Sequence, residues 1–110
     1  MKTQQPLQKI SVKAAMNLEN LMRFVSYDGN YASAGGPALG VLDAATNAGE
    51  YAPIIIYGIV LVEAGAAITV GAGVQSDSQG RAVPQTSGVL LGYSLDAASA
   101  AGEKIRVKLI

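Results

Sequence analysis

The chain alternates short apolar runs with polar turns. ISVKAA, from Ile10, has the period of two that is typical of a half-exposed β-strand, and KIRVKLI (104–110) places its three basic residues on one strand face. Turns with the sequences DG (28–29) and DSQG (77–80) divide longer stretches into hairpins. The pattern predicts a mainly β protein of short antiparallel strands.

The second half of the chain repeats the first. DAATNAGE (43–50) returns as DAASAAGE (96–103), with six of eight positions identical, and the surrounding turns and apolar runs follow the same order. Residues 10–57 and 59–110 are therefore predicted to be two copies of one unit. Because two open half-sheets would expose strand edges, we expect the halves to pack as a small antiparallel β-barrel or sandwich.

Three features carry predictions of local structure. Gly58, between the copies, interrupts a β-branched run and predicts a bend, a bulge or a barrel corner. Tyr57, beside it, is predicted to lie in the core. At most one or two short helices are expected, either around residues 17–22, where apolar residues have helical spacing, or as single turns after Asp43 and Asp96 as N-caps.

Composition limits the classes of function. Half of the residues are hydrophobic and 15% are charged, which excludes disorder and leaves two interpretations open: a small Ala-rich core, or surface buried against other chains. The net charge is zero and the basic residues are scattered, so neither nucleic acid nor an acidic membrane is an expected partner. The longest apolar run, 52–62, is shorter than the about 20 residues of a membrane-spanning helix.

The sequence offers little chemistry. It contains no Cys and no His, and it has neither a P-loop nor the spacing of a zinc or calcium site. The repeat pairs Asp43 with Asp96 and Glu50 with Glu103, which raises the possibility of an acid–base dyad across a pseudo-twofold axis. Caps and exposed strand ends are the favoured roles for these carboxylates. We therefore expect no enzyme activity, no cofactor and no metal.

Residues 1–9 lie outside the repeat. This segment is polar, contains Pro6 and has no counterpart in the second copy. It is predicted to be an N-terminal arm on a single β domain of residues 10–110. The arm is either a frayed terminus or a segment that becomes ordered on a partner, adding an edge strand with Leu7 as an anchor.

The order of several phrases resembles a known family. GGPALGVLDAA…AGE, VEAGAAITVGAGVQSDSQGRAVP and GVLLGYSLDAASAAGEKIRVKL are similar to the small capsid decoration, or cement, proteins of tailed bacteriophages, a prophage group formerly of unknown function. The resemblance covers about residues 10–110. It implies a non-enzymatic structural protein made in the host bacterial cytoplasm and carried on the outer surface of the virion. There it is expected to form a homotrimer that binds and stabilises the lattice of the major capsid protein.

Six residues of the arm are predicted to contact the capsid: Lys2, Gln4, Gln5, Pro6, Leu7 and Lys9. Two alternatives remain open. One is another virion component, such as the base of a head fibre or a tail-associated module. The other is a small β domain that binds sugars or other ligands, for which scattered tyrosines are the only support.

Overall fold

The computed structural model describes residues 2–110, and this part of the chain contains eight β-strands and no helix. The strands are β1 (Gln5–Lys13), β2 (Phe24–Val25), β3 (Gly40–Leu42), β4 (Tyr51–Glu63), β5 (Gly73–Ser76), β6 (Ala82–Pro84), β7 (Gly92–Ser94) and β8 (Lys104–Leu109). The prediction of a mainly β protein is confirmed. No helix within residues 2–110 has the length and apolar character needed to cross a membrane.

The strands form one antiparallel sheet that almost closes into a barrel. The order is β2-β3-β4-β8-β7-β5-β6, and β1 pairs with β4. A 2.7 Å hydrogen bond from the Phe24 amide to the Gly80 carbonyl joins β2, at one end of this order, to the turn before β6, at the other end. A parallel bridge between Ala64 and Ala82 also ties the end of β4 to β6. The predicted barrel is thereby confirmed, because closure satisfies the strand edges that two separate half-sheets would expose.

Long β4 belongs to both halves and holds the core together. Its buried residues include Ile54, Ile55, Val60 and Val62, which are fully inaccessible to solvent. On β8, Ile105, Val107 and Leu109 point inward and the three basic residues point outward, as the period of two predicts. Two apolar clusters result, a larger one around Phe24 and the β4–β8 pair, and a smaller one around Leu18 and Leu42.

The two halves use the same backbone contacts. Ala14 donates a hydrogen bond to the Glu50 carbonyl (2.8 Å), and Ala64 donates one to the Glu103 carbonyl (2.7 Å). Gly40 and Gly92 also correspond, since each packs its backbone against a carbonyl of the neighbouring strand. The repeated phrases therefore encode a repeated piece of scaffold.

The predicted helical segments are wrong. Leu18 is fully buried and forms an antiparallel bridge with Thr46, so the segment around residues 17–22 and the first DAA phrase hold each other in extended form. Ile68 and Ala98 form the equivalent bridge in the second half. Met22 has a φ of 62°, which a right-handed helix does not permit. The apolar spacing reflects burial between loops rather than a helix face.

Gly58 lies inside one continuous strand, not between two. Its φ is 110°, and a Cβ there would lie 2.6 Å from the Gln5 carbonyl oxygen and 2.8 Å from the Leu7 nitrogen. The register of β1 shifts opposite this point, between Pro6 and Gln8, which confirms the predicted bulge and places it on β1. The prediction for Tyr57 is wrong, because the side chain beside this irregularity turns outward and is 48% exposed.

Candidate interaction surfaces

The predicted arm forms the first part of β1. Gln5 pairs with Ile59, Pro6 with Gly58 and Lys9 with Ile55, so this segment is ordered against its own domain. Every side chain from Gln5 to Ser11 is exposed, and Leu7 reaches 72%. The arm therefore contributes backbone pairing to β4 but no side chain to the core.

Three of the six predicted contact residues attach the arm to the domain. Gln4 accepts a 3.0 Å hydrogen bond from the Leu61 amide. Lys9 forms a 2.7 Å ion pair with Asp43. The Lys2 ammonium donates to the Lys104 carbonyl at 2.9 Å. These contacts hold the arm in place, and they leave Gln5, Pro6 and Leu7 as the outward-facing members of the predicted set.

The outer edge of β1 is an open strand edge. Ile54 and Ile55 pair with β1 on one side and with β3 on the other, so β4 separates β1 from the rest of the barrel. Within residues 2–110, β4 is the only strand that pairs with β1. A nine-residue strand with one unpaired row of backbone groups is a template for an extended segment of another chain.

Two open apolar pockets adjoin at one part of the barrel and share Leu109. The first, which we name the apolar cleft, has a volume of about 160 Å³. It is lined by Phe24, Tyr27, Pro37, Ala38, Leu39, Gly40, Ile56, Val89, Leu90, Leu91, Leu109 and Ile110, none of which carries a charged side chain. The second, the β1 pocket, has a volume of about 170 Å³ and lies against the arm, where Leu7, Tyr57 and Lys108 line it.

Sequence reasoning missed the apolar cleft. Its residues come from five separate stretches of the chain, and no periodic pattern connects them. The only sequence feature that pointed toward such a surface was the excess of apolar residues over charged ones. That excess was compatible with an apolar surface buried against other chains, but it did not locate one. Only the closure of the barrel brings these stretches together.

Five charged side chains form a network of structural contacts at the seam of the barrel. Glu63 lies within 4.0 Å of Arg23, Arg81 and Lys104, and Asp77 forms a 2.8 Å ion pair with Arg81. This network joins β4 to the β5–β6 hairpin, where the order of strands closes. Within residues 2–110, no group of three or more acidic, His or Cys side chains is placed to hold a metal ion.

The repeat does not align Asp43 with Asp96 in space. Asp43 donates its backbone amide to the Pro53 carbonyl, and the matching bond in the second half comes from Leu95 to Arg106, one residue before Asp96. The second half thus contains one extra residue ahead of its DAA phrase. As a consequence the two carboxylates have different partners: Asp43 bonds to Lys9, and Asp96 to Arg106 at 3.0 Å.

Asp96 is the carboxylate most altered by its surroundings. Hydrogen bonds from the Arg106 side chain, and then from its amide, lower the pKa of Asp96 from 3.8 to about 2. A pKa lowered by folding stabilises the folded state above the unfolded value, and that contribution disappears as the pH falls through the folded value.

We expect the free energy of unfolding to fall between pH 3.8 and about 2, and to fall less steeply in Asp96→Asn. The contribution of this partly exposed pair is about 1 kcal/mol or less. Urea unfolding at a series of pH values measures it. Glu19→Gln is the control, since exposed Glu19 has no side-chain hydrogen bond within residues 2–110. Equal slopes in wild type and Asp96→Asn would contradict the assignment.

Comparison with protein families gives a match over almost the entire chain. The model described as phage cement protein matches residues 3–109. The chain belongs to the phage cement protein family. It is therefore a virion component that associates with the phage capsid. The resemblance inferred from the order of sequence phrases is confirmed, and membership of a structural family agrees with the expectation that the chain is not an enzyme.

The fold of this cement-family chain also occurs in a head fibre. The crystal structure of the head fiber gp8.5 N base in bacteriophage phi29 matches with a TM-score of 0.74 at 19% sequence identity, covering 94% of this chain and 93% of that one. At this identity the match shows a common fold. No curated protein sequence matches the chain significantly.

Proposed function

We propose that this protein binds the outer surface of a tailed-phage head as a homotrimer and stabilises the lattice of the major capsid protein. The observation that carries the proposal is the match of the cement family model to residues 3–109, which leaves no room for a separate catalytic domain within the matched length. A duplicated scaffold, with its carboxylates in turns and ion pairs, suits a protein whose role is to hold neighbouring subunits together.

The mechanism is thermodynamic linkage. A protein that binds the expanded lattice and not the unexpanded one shifts the equilibrium by the difference between its two affinities. At a free concentration of 100 times the dissociation constant, one such site contributes about 2.7 kcal/mol. Once one subunit of a trimer has bound the capsid, the other two are held near their own sites at a high effective concentration. The trimer can therefore bind tightly even if each single contact is weak.

The capsid contact in this proposal is β1. Its outer edge pairs with an extended segment of the major capsid protein, and outward-facing Gln5, Pro6 and Leu7 contact that segment. Two features support this choice: β1 is exposed on both faces along most of its length, and the β1 pocket beside Leu7 offers room for one apolar side chain. Lys2, Gln4 and Lys9 orient the strand through their contacts with the domain.

Co-sedimentation with purified heads tests the proposal. Heads stripped of decoration are mixed with increasing amounts of the protein, in parallel with unexpanded proheads. We expect saturable binding to expanded heads alone, with a fixed number of copies per capsid subunit. Failure to bind either particle, by a protein shown to be folded, would reject the cement function.

A second candidate is the base of a head fibre, which the structural match to the gp8.5 base favours. In that role the chain would anchor a further fibre domain instead of acting by itself. Electron microscopy of particles carrying a labelled version distinguishes the two functions. Density extending as fibres from the labelled sites favours the fibre base, and compact density distributed over the shell favours cement.

A further inference from the structure

The second half of the barrel shows how this protein covers a strand edge. Residues 59–63 of β4 pair with β8 on one side. On the other side the arm lies against them, since Gln5 pairs with Ile59 and the Gln4 side chain accepts the 3.0 Å hydrogen bond from the Leu61 amide. An antiparallel backbone pair and one side-chain oxygen therefore satisfy this edge.

The first half contains the equivalent strand without the cover. The correspondence follows from Ala14 and Ala64, whose backbone hydrogen bonds are equivalent. Three residues before them lie Ser11 and Leu61, and two residues further back Lys9 corresponds to the arm-paired residue of β4. Within residues 2–110 no strand lies along the outer edge of β1 at Lys9 and Ser11. This open edge is thus the counterpart of an edge that the protein itself covers.

The backbone N–H and C=O of Ser11 face the open edge. Ser11 is paired with Pro53, which has no N–H and whose carbonyl accepts a 3.0 Å hydrogen bond from the Asp43 amide instead. This is the non-hydrogen-bonded kind of antiparallel pair, in which both residues direct their backbone groups away from each other. The equivalent pair in the second half is arranged alike, since the Arg106 carbonyl accepts a 2.8 Å hydrogen bond from the Leu95 amide.

We infer that the outer edge of β1 at Lys9 and Ser11 binds an antiparallel segment of the capsid protein that carries a side-chain oxygen as acceptor for the Ser11 amide. The backbone of Lys9 pairs with this segment as the edge of β4 pairs with the arm. The inference rests on the proposed function for the identity of the partner, and it adds the register, the direction and the acceptor. The partner supplies to the first half what the arm supplies to the second.

The contacts of the arm favour a capsid segment over the arm of a second copy as the occupant. Each copy already uses its own Gln4 and Gln5 on the edge of β4. Passing the arm to a neighbour would cover one edge and expose another, so the number of open strand edges would stay the same. A segment from a different protein covers the edge of β1 without exposing a second one.

Hydrogen exchange of the β1 amides tests the site residue by residue. The protein is exchanged in heavy water, free and bound to expanded heads, and is then dissociated for measurement. The Ser11 amide should exchange rapidly in the free protein and about tenfold or more slowly on heads, whereas the Val12 amide, which faces β4, should be protected in both states. Exchange at Ser11 that heads leave unchanged would contradict the inference. Protection of Ser11 in the free protein would show that another copy covers the edge, and would also overturn it.

A proline at position 11 tests the same N–H by binding. Ser11→Pro removes this N–H without removing a hydrogen bond to β4, and proline is tolerated at strand edges. It should weaken binding to expanded heads by about tenfold, whereas the Ser11→Ala control keeps the N–H and should bind within about twofold of the wild type. Circular dichroism confirms that both variants are folded. Equal binding by folded Ser11→Pro and Ser11→Ala would overturn the inference and leave the cement function standing. A wild type that binds no heads would reject the proposed function and the inference together.

Discussion

Deletion of residues 2–9 should abolish binding to expanded heads while the rest of the chain stays folded. None of these residues is buried, and residues 10–13 of β1 still pair with β4 after the deletion. The domain loses the pairing of residues 5–9 with β4, the hydrogen bond between Gln4 and Leu61, and the ion pair between Lys9 and Asp43. The last two contribute about 1 kcal/mol each. The proposed capsid contact, by contrast, is lost entirely.

The measurement is co-sedimentation of the truncated protein with expanded heads, at concentrations up to 100 times those that saturate with the wild type. Leu7→Asp is the matching point variant. Val70→Asp is its control, because Val70 is similarly exposed and lies outside β1. Unchanged binding by a folded truncated protein would show that β1 is not the contact, and the search would move to the other exposed surfaces of the barrel.

Replacement of Gly40 by alanine should strongly destabilise the fold. A Cβ at this position would lie 2.1 Å from the Ile55 carbonyl oxygen, a backbone atom that moves only if β3 separates from β4. The expected cost is about 3 kcal/mol or more, which is a large share of the total stability of a small domain. Gly92→Ala should behave alike, because its Cβ would lie 2.4 Å from the Lys108 carbonyl oxygen.

Urea unfolding of the two variants measures this cost. Gly71→Ala is the control: its φ is 80°, so alanine is strained there, but the added Cβ would have no atom within 4 Å. We expect it to cost about 1–2 kcal/mol, the penalty of the left-handed conformation alone. If Gly40→Ala is no more destabilising than Gly71→Ala, the close strand contact inferred for β3 and β4 is incorrect.

Much of the fold could be predicted because its signals are local. The period of two in residues 104–110, the Asp-containing turns and the repetition of one phrase each report on a few neighbouring residues, and each prediction is confirmed by a strand, a hairpin or a repeated hydrogen bond. The helix predicted from the apolar spacing around Leu18 was wrong for the same reason, because that spacing is also a local signal. Its buried residues pack against Thr46 and Leu42, and a local pattern cannot reveal a partner that is distant in sequence.

The sequence by itself determined the β class, the duplication, the absence of Cys and His chemistry, and the order of phrases that marks the cement family. Only the tertiary structure decided that the arm lies along β4 as an open edge strand, that Asp43 and Asp96 have different partners, and that apolar residues from five stretches form one cleft. The physical reason is closure of the barrel. Pairing between strands far apart in sequence determines which side chains share a surface, and that pairing depends on the packing of the entire core.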